Sequence, residues 1–313
     1  MFHAMTRAEI WLQEALESPL SIDELAKHLG YSSSQVRRQF RHCFNVSPSK
    51  YREKRRLERA AVLLAYSPQN IAHIAQRCGY SNHSSFSRAF QRQYALSPRG
   101  FRQAIFSRLK NELAQTEITA TIEKSRPGQA LTMRLYQAPE SIDELGSHTQ
   151  HCNAISCFQS RLQEAVPIVL LPDALASSIN AVADHAGNSA AISATNSAAA
   201  ISTATNSTAT NSTATISTAT ISLSTRTDIG VYVKDDSIAE SIALPVPYRR
   251  QYIPSHYHAS TVIQEIDQLK PVLQNLLNWI LFEAKGYYLS GEPPCVLWHG
   301  NGIEIRVPLS SMD

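Results

Sequence analysis

Leu25-Ala26-Lys27-His28-Leu29-Gly30-Tyr31-Ser32, followed by Val36, Phe40, Ser47-Pro48 and Tyr51, decides the fold because the chain writes it twice. The second copy is Ile74-Ala75-Gln76-Arg77-Cys78-Gly79-Tyr80-Ser81, followed by Phe86, Phe90, Ser97-Pro98 and Phe101. The glycines lie 49 residues apart and Phe40 and Phe90 lie 50 apart, so the second copy holds one extra residue after its glycine. Ser21 with Glu24 forms a capping-box pattern, and Gly30 supplies the left-handed residue that stops a short helix. Ser32 with Gln35 opens the next helix by the same device. In the second copy Asn70 caps, Gly79 terminates, and Ser81 or Asn82 begins the following helix. Two helices joined by a short turn containing glycine make a helix-turn-helix, whose second helix lies in a DNA major groove.

Helical periodicity divides each second helix into two faces. Val36, Phe40 and Phe44 recur every four residues and face the core, leaving Ser34, Arg37, Arg38 and Arg41 outside. In the second copy Phe86, Phe90 and Tyr94 take the inner stripe, leaving His83, Ser84, Ser87, Arg88 and Gln91 outside. Arginine can bond guanine through two parallel contacts, and serine or histidine can meet base edges or phosphates. A solvated face is the alternative for any one of these residues, and two such faces together favour DNA recognition.

Charge is unevenly spread beneath an overall net of +3. Residues 1–110 hold 18 Lys and Arg against 7 Asp and Glu, whereas residues 111–313 hold 11 against 19. A basic segment joined to an acidic one fits a nucleic-acid module attached to a region that does not touch nucleic acid. Arg52, Lys54, Arg55, Arg56 and Arg59 fall on the helix between the copies, where they either meet phosphates or are solvated.

The paired pattern, with Arg56-Leu57-Glu58-Arg59-Ala60 between the copies and Gly79-Tyr80-Ser81 ahead of Phe86-Ser87-Arg88-Ala89-Phe90, resembles the AraC/XylS family of bacterial transcription regulators over roughly residues 4–108. The resemblance implies seven helices and two recognition helices in successive major grooves, about 34 Å apart. It implies base reading by Ser34, Arg37 and Arg38 in the first unit, and by His83, Ser84, Ser87 and Arg88 in the second. It also implies promoter DNA as partner, RNA polymerase as a further one, monomeric binding, and a regulator, most often an activator, that answers to a small-molecule effector. The order of segments is similar to the Rob-like subgroup, whose C-terminal part is a GyrI-like effector-binding α+β domain.

The expected fold is therefore an all-α N-terminal domain of two helix-turn-helix units joined by a long helix, followed by an α+β domain interrupted by a low-complexity insertion. The boundaries are 1–110 for the first domain, 111–128 for a linker and 129–313 for the second, with the insertion at 176–227. Leu131–Tyr136 reads as a strand. Ile263, Ile266, Leu269, Leu273, Leu276, Leu277 and Ile280 follow a helical stripe, and Cys295–Trp298 and Ile303–Leu309 read as paired closing strands. Tyr232, Tyr257, Trp279 and Trp298 are candidates for lining an effector pocket, with plain core as the alternative. Val296 or Leu297 stands where GyrI-like domains that bind cations usually carry a glutamate, which removes the carboxylate that would compensate a buried positive charge.

Between His185 and Thr225 there is no charged side chain, and Ala-Thr-Asn-Ser-Thr occurs at 204–208 and 209–213. Such a segment buries too little apolar surface to offset the entropy of ordering it, so disorder is expected. Five cysteines at irregular spacing suit a reducing compartment, and no run has transmembrane or signal-peptide character, so a cytoplasmic location is expected. His148, His151, Cys152 and Cys157 have metal-ligand atoms at a spacing that fits no usual zinc pattern, and His256 with His258 is a similarly weak pair. No metal, cofactor or catalysis is expected. Two competing readings are an architectural or origin-binding protein, and an alkyltransferase-type repair regulator built on Pro294-Cys295. The latter lacks the base or positive charge that would turn the thiol into a thiolate.

Overall fold

The computed structural model describes residues 2–18, 21–112, 118–136, 165–184, 226–234, 244, 247–299 and 302–312. Seven helices come first: α1 (Phe2–Glu14), α2 (Ile22–Leu29), α3 (Ser33–Phe44), α4 (Pro48–Tyr66), α5 (Ile71–Arg77), α6 (His83–Tyr94) and α7 (Pro98–Glu112). Ser47-Pro48 and Ser97-Pro98 start α4 and α7 in the same way, with proline at a position whose N–H would have no helical partner and the serine hydroxyl accepting from the backbone three residues on. The hydrophobic run Ala60–Tyr66 makes the C-terminal half of α4 buried on every side. It can be so apolar all round because helices pack on it from both copies and from the C-terminal region.

Nine antiparallel strands follow: β1 (Thr121–Lys124), β2 (Gly128–Leu135), β3 (Val166–Leu170), β4 (Thr227–Val233), β5 (Arg249–Ile253), β6 (Tyr257–Ile263), β7 (Tyr287–Leu289), β8 (Cys295–His299) and β9 (Gly302–Ser311). The order is β1-β6-β9-β8-β3-β4-β2-β5, with β7 on β9. Read outward from the central β3–β8 pair, β4-β2-β5 on one side mirrors β9-β6-β1 on the other. Each half lends its first strand to the far edge of the other. Among the described residues two helices accompany the sheet, α8 (Ala174–Asp184) between β3 and β4, and α9 (Leu269–Phe282) between β6 and β7.

Three boundaries differ from the sequence expectation. Thr121–Lys124, placed in the linker, pairs with β6 as an edge strand, so the sheet begins well before residue 129. Residues 176–184, placed in the insertion, belong to α8, whose Leu175 and Ile179 are buried in the core shared with α4 and α7. Arg226 and Thr227, also placed in the insertion, are described as well, with Thr227 opening β4, and residues 185–225 lie outside the described residues. The stripe from Ile263 divides, with Ile263 closing β6, Ile266 in a single 3-10 turn, and only Leu273, Leu276, Leu277 and Ile280 facing inward from α9. The strands expected at 131–136 and at 295–309 are present as β2, β8 and β9.

The two regions share one core and a buried charge network. The apolar cluster around α4, α5, α6 and α7 runs without a break into α8, α9 and one face of the sheet. Beside it Glu9 on α1 meets Arg134 of β2 at 2.7 Å and also Arg226. Arg134 makes two 2.8 Å bonds to Asp228, and Asp173 accepts from Arg226 and Arg55. Burial alone would push the Glu9 carboxyl up, but the two guanidinium groups and the Tyr51 hydroxyl outweigh it and hold it down at about 2.

Candidate nucleic-acid interface

The turn chemistry is identical in principle at the two helix pairs and different in detail. Ser21 and Glu24 exchange side-chain and backbone hydrogen bonds at the start of α2, and Ser32 and Gln35 do the same at α3. Gly30 ends α2 at φ 75°. In the second pair Asn70 caps α5 through a 2.7 Å bond to the His73 N–H, and Asn82, rather than Ser81, caps α6. Gly79 also sits at φ 75°, one residue beyond the cap of α5. The extra residue of the second copy is thus accommodated between Gly79 and the start of α6.

Each second helix presents the faces read from its period. Val36, Phe40 and Phe44 are buried in α3, as are Phe86, Phe90 and Tyr94 in α6. Ser34, Arg37, Arg38 and Arg41 are exposed on α3, and His83, Ser84, Arg88 and Gln91 on α6, while Ser87 is half-buried. None of these arginines has an acidic partner among the described residues. Each outer face therefore carries free guanidinium donors and short hydroxyls.

The arginines of α4 behave otherwise. Arg56 donates from Nε to the Leu16 carbonyl at 2.8 Å and from Nη2 to the Ser18 carbonyl at 3.1 Å, which ties the α1–α2 loop to α4. Its guanidinium lies so close to Gly79 that a Cβ there would come within 2.5 Å of Nη2. Arg55 is buried between Glu58 and Asp173, and Arg59 pairs with Glu17 and Glu292. These residues are neither solvated nor offered to phosphate; they hold α4 to its neighbours. Sequence reasoning also missed Glu9, Arg134, Asp173, Arg226 and Asp228, because nothing in a charged residue's own neighbourhood announces a partner more than 50 residues away.

The four aromatic residues proposed for an effector pocket do not share one face of the sheet. Trp298 and Tyr257 point to the face of the sheet covered by α9, where Trp279 also packs, whereas Tyr232 shares the opposite face with Leu297. Tyr257 packs on Tyr287, and the Tyr232 hydroxyl donates to the Arg126 carbonyl. On that opposite face Glu304 stands directly across from Leu297, so a carboxylate is present one strand over from the expected place. Arg306 and His299 already engage it. His258, on the same face, is 2% exposed with neither ring nitrogen hydrogen-bonded among the described residues, and burial followed by the nearby Arg306 pulls it down to about 4.

Burial pushes the Cys295 thiol up to about 12, against the thiolate that alkyl transfer requires. Cys78 is buried and raised to about 12 for the same reason, and Cys43 is half-buried against the first helix pair's core. His148, His151, Cys152 and Cys157 lie outside the described residues. No helix among the described residues is long and apolar enough to cross a membrane.

Residues 25–104 match the family model for a helix-turn-helix domain. Over 95 residues the chain is 37% identical to the regulatory protein SoxS of Escherichia coli, covering 30% of this chain and 89% of that protein. Over 101 residues it is 35% identical to the putative HTH-type transcriptional regulator YkgA of Escherichia coli, covering 32% of this chain and 42% of YkgA. The chain thus spans less than half of YkgA's length. A solved AraC-type regulator from Chromobacterium violaceum is 32% identical, with 33% of this chain and 91% of that chain covered at a TM-score of 0.31.

Proposed function

The chain belongs to the AraC-type helix-turn-helix family of transcriptional regulators, and from that premise we propose that it binds promoter DNA through two helix-turn-helix units and acts on transcription, as an activator, in response to an effector. One observation carries the reading: free arginines stand on two outward helix faces fastened to a single rigid helix. The 19 residues of α4 span about 28 Å, close to the 34 Å groove repeat that two recognition helices on one face of the duplex must match. Arg37, Arg38 and Arg88 are assigned to bases, Ser34, His83, Ser84 and Ser87 to bases or phosphate, and Arg41 to the flanking backbone. One chain carries both faces, so it binds an asymmetric site as a monomer, with RNA polymerase as the partner through which it acts.

The C-terminal region is proposed to be GyrI-like. Its support is the mirrored strand order around β3 and β8. The effector is assigned to the face that carries Tyr232, Arg306, Glu304 and His258.

Footprinting the full chain on its own upstream DNA tests the first reading. Arg38→Ala and Arg88→Ala should each cost about 1–3 kcal/mol of specific binding and relax preference at one base position. Equal weakening on every sequence would assign them to phosphate, and no protected site at modest salt would remove the proposal.

A further inference from the structure

A cavity of about 250 Å³ lies between the helical region and the sheet, bounded by α1 and α4 on one side and by β2, β5 and α8 on the other. Its floor is closed by Arg134 and Asp228, whose two 2.8 Å hydrogen bonds are buried and satisfied. Its rim is different. Arg59, from α4, is answered by Glu17 and Glu292, whose side chains are 54% and 61% exposed. Arg249, from β5, holds buried Asp228 with Nη2 at 2.9 Å and turns Nη1 outward to Glu14, which is 57% exposed. Ion pairs with partners this exposed contribute about 0–1 kcal/mol and exchange readily.

Among the described residues both rim arginines keep a buried Nε–H with no acceptor, and Gln251, which also lines the cavity, keeps a buried Oε1 with no donor. Unsatisfied buried groups cost about 1–3 kcal/mol each. Two idle donors and one idle acceptor beside displaceable carboxylates describe a site short of an anion that also carries a hydroxyl. The volume falls below the roughly 300–1,000 Å³ of pockets for drug-sized ligands, which favours a metabolite-sized molecule.

We propose that this cavity binds a small hydroxycarboxylate, whose carboxylate displaces Glu14 and Glu292 and bridges Arg59 of the helical region to Arg249 of the sheet. Arg59 lies on the helix that carries both pairs, so a ligand here fastens the C-terminal region to the linking helix. Any coupling to DNA is reciprocal: if the ligand changes DNA affinity, DNA changes ligand affinity by the same factor. The site is separate from the effector face proposed above, and its occupancy is read on free protein. Failure of either proposal therefore leaves the other standing.

Calorimetric titration of the full chain with malate, its neutral diamide malamide, and putrescine tests it. Malate should bind saturably and raise the melting temperature, while malamide and putrescine should not. Arg249→Gln should weaken malate binding about tenfold or more, and Glu292→Gln, at an exposed position, should tighten it about threefold by removing a competing carboxylate. The opposite sign of these two effects separates a ligand site from a merely structural contact, and Glu292→Gln serves alone if Arg249→Gln fails to fold. No saturable malate heat up to about 10 mM, equal binding of malamide, or an unchanged affinity in Glu292→Gln overturns the proposal.

Discussion

Arg37, Arg38, Arg41 and Arg88 stand on outward helix faces without an acidic partner among the described residues, whereas Arg55, Arg134 and Arg226 are buried between the helical region and the sheet, each making at least two hydrogen bonds. Both sets contribute the same charge to the chain. The difference lies in what neutralises it. A fully buried guanidinium whose nitrogens are taken up by Glu9, Asp173 or Asp228 has no attraction left for phosphate, and removing it leaves a carboxylate stranded in low dielectric. A free one on a helix surface keeps its five donors for a base edge or backbone phosphate. A basic composition thus divides into a fastening fraction and an unpaired outward fraction, and it is to the second that we assign the DNA footprint.

The largest effect should come from breaking the fastening fraction. Arg226→Met leaves both Glu9 and Asp173 short of a partner, and should lower the stability of the full chain by about 3–5 kcal/mol in urea unfolding. Removing Glu9 at the same time, as the Arg226→Met, Glu9→Leu double variant, should cost less than the two single changes together, because the opposing charges leave as a pair. A strictly additive double variant would show that the two groups do not act on each other.

Next in size is the glycine that Arg56 covers. Gly30 and Gly79 share φ 75°, but a Cβ on Gly30 meets open space, while one on Gly79 would lie 2.4 Å from the Leu16 carbonyl oxygen. Gly30→Ala should therefore cost about 1 kcal/mol from backbone strain alone, and Gly79→Ala about 3 kcal/mol, because Arg56 and the α1–α2 loop must shift as well. Equal losses in thermal unfolding would mean that the Arg56 contacts contribute little.

How much of this was readable from the chain follows the same division. The caps, the glycine stops and both outward faces depend on residues within four positions of one another, so period and spacing displayed them. Ser87 alone was placed fully outside and proved half-buried, since it flanks the Phe86 and Ala89 stripe. The fastening arginines depend on Glu9, Asp173 and Asp228, which are distant in sequence and meet only once the sheet closes on α1 and α4. Local charge in α4 looked basic for that reason. Parity separates Tyr232 from the other three aromatic candidates: adjacent strand residues face opposite sides, so a list of aromatic residues cannot reveal which of them share a face.

His258 sharpens the comparison as a buried group whose ring nitrogens have no hydrogen-bond partner among the described residues. Its folded-state titration is lowered from 6.5 to about 4, first by burial and then by Arg306. Between those values the unfolded chain binds more protons than the folded one, so stability must fall as pH falls below 6.5. The loss should reach about 2 kcal/mol by about pH 5, at 1.36 kcal/mol per unit. His258→Phe should flatten the stability profile over that window. A variant profile parallel to the parent's would place the proton elsewhere.

The smallest expected change in stability decides whether the outward fraction serves recognition. Arg37→Ala removes an exposed side chain with no acidic partner, so the urea midpoint should stay within the equivalent of about 0.5 kcal/mol. Specific DNA affinity should meanwhile fall measurably, and the two readouts must separate, because nothing inside the protein depends on that guanidinium. If Arg37→Ala instead lowers stability by more than about 1 kcal/mol, the side chain is engaged within the fold. The contrast with Arg226 would then be one of degree, and the outward faces of α3 and α6 would lose their claim to be surfaces kept free for DNA.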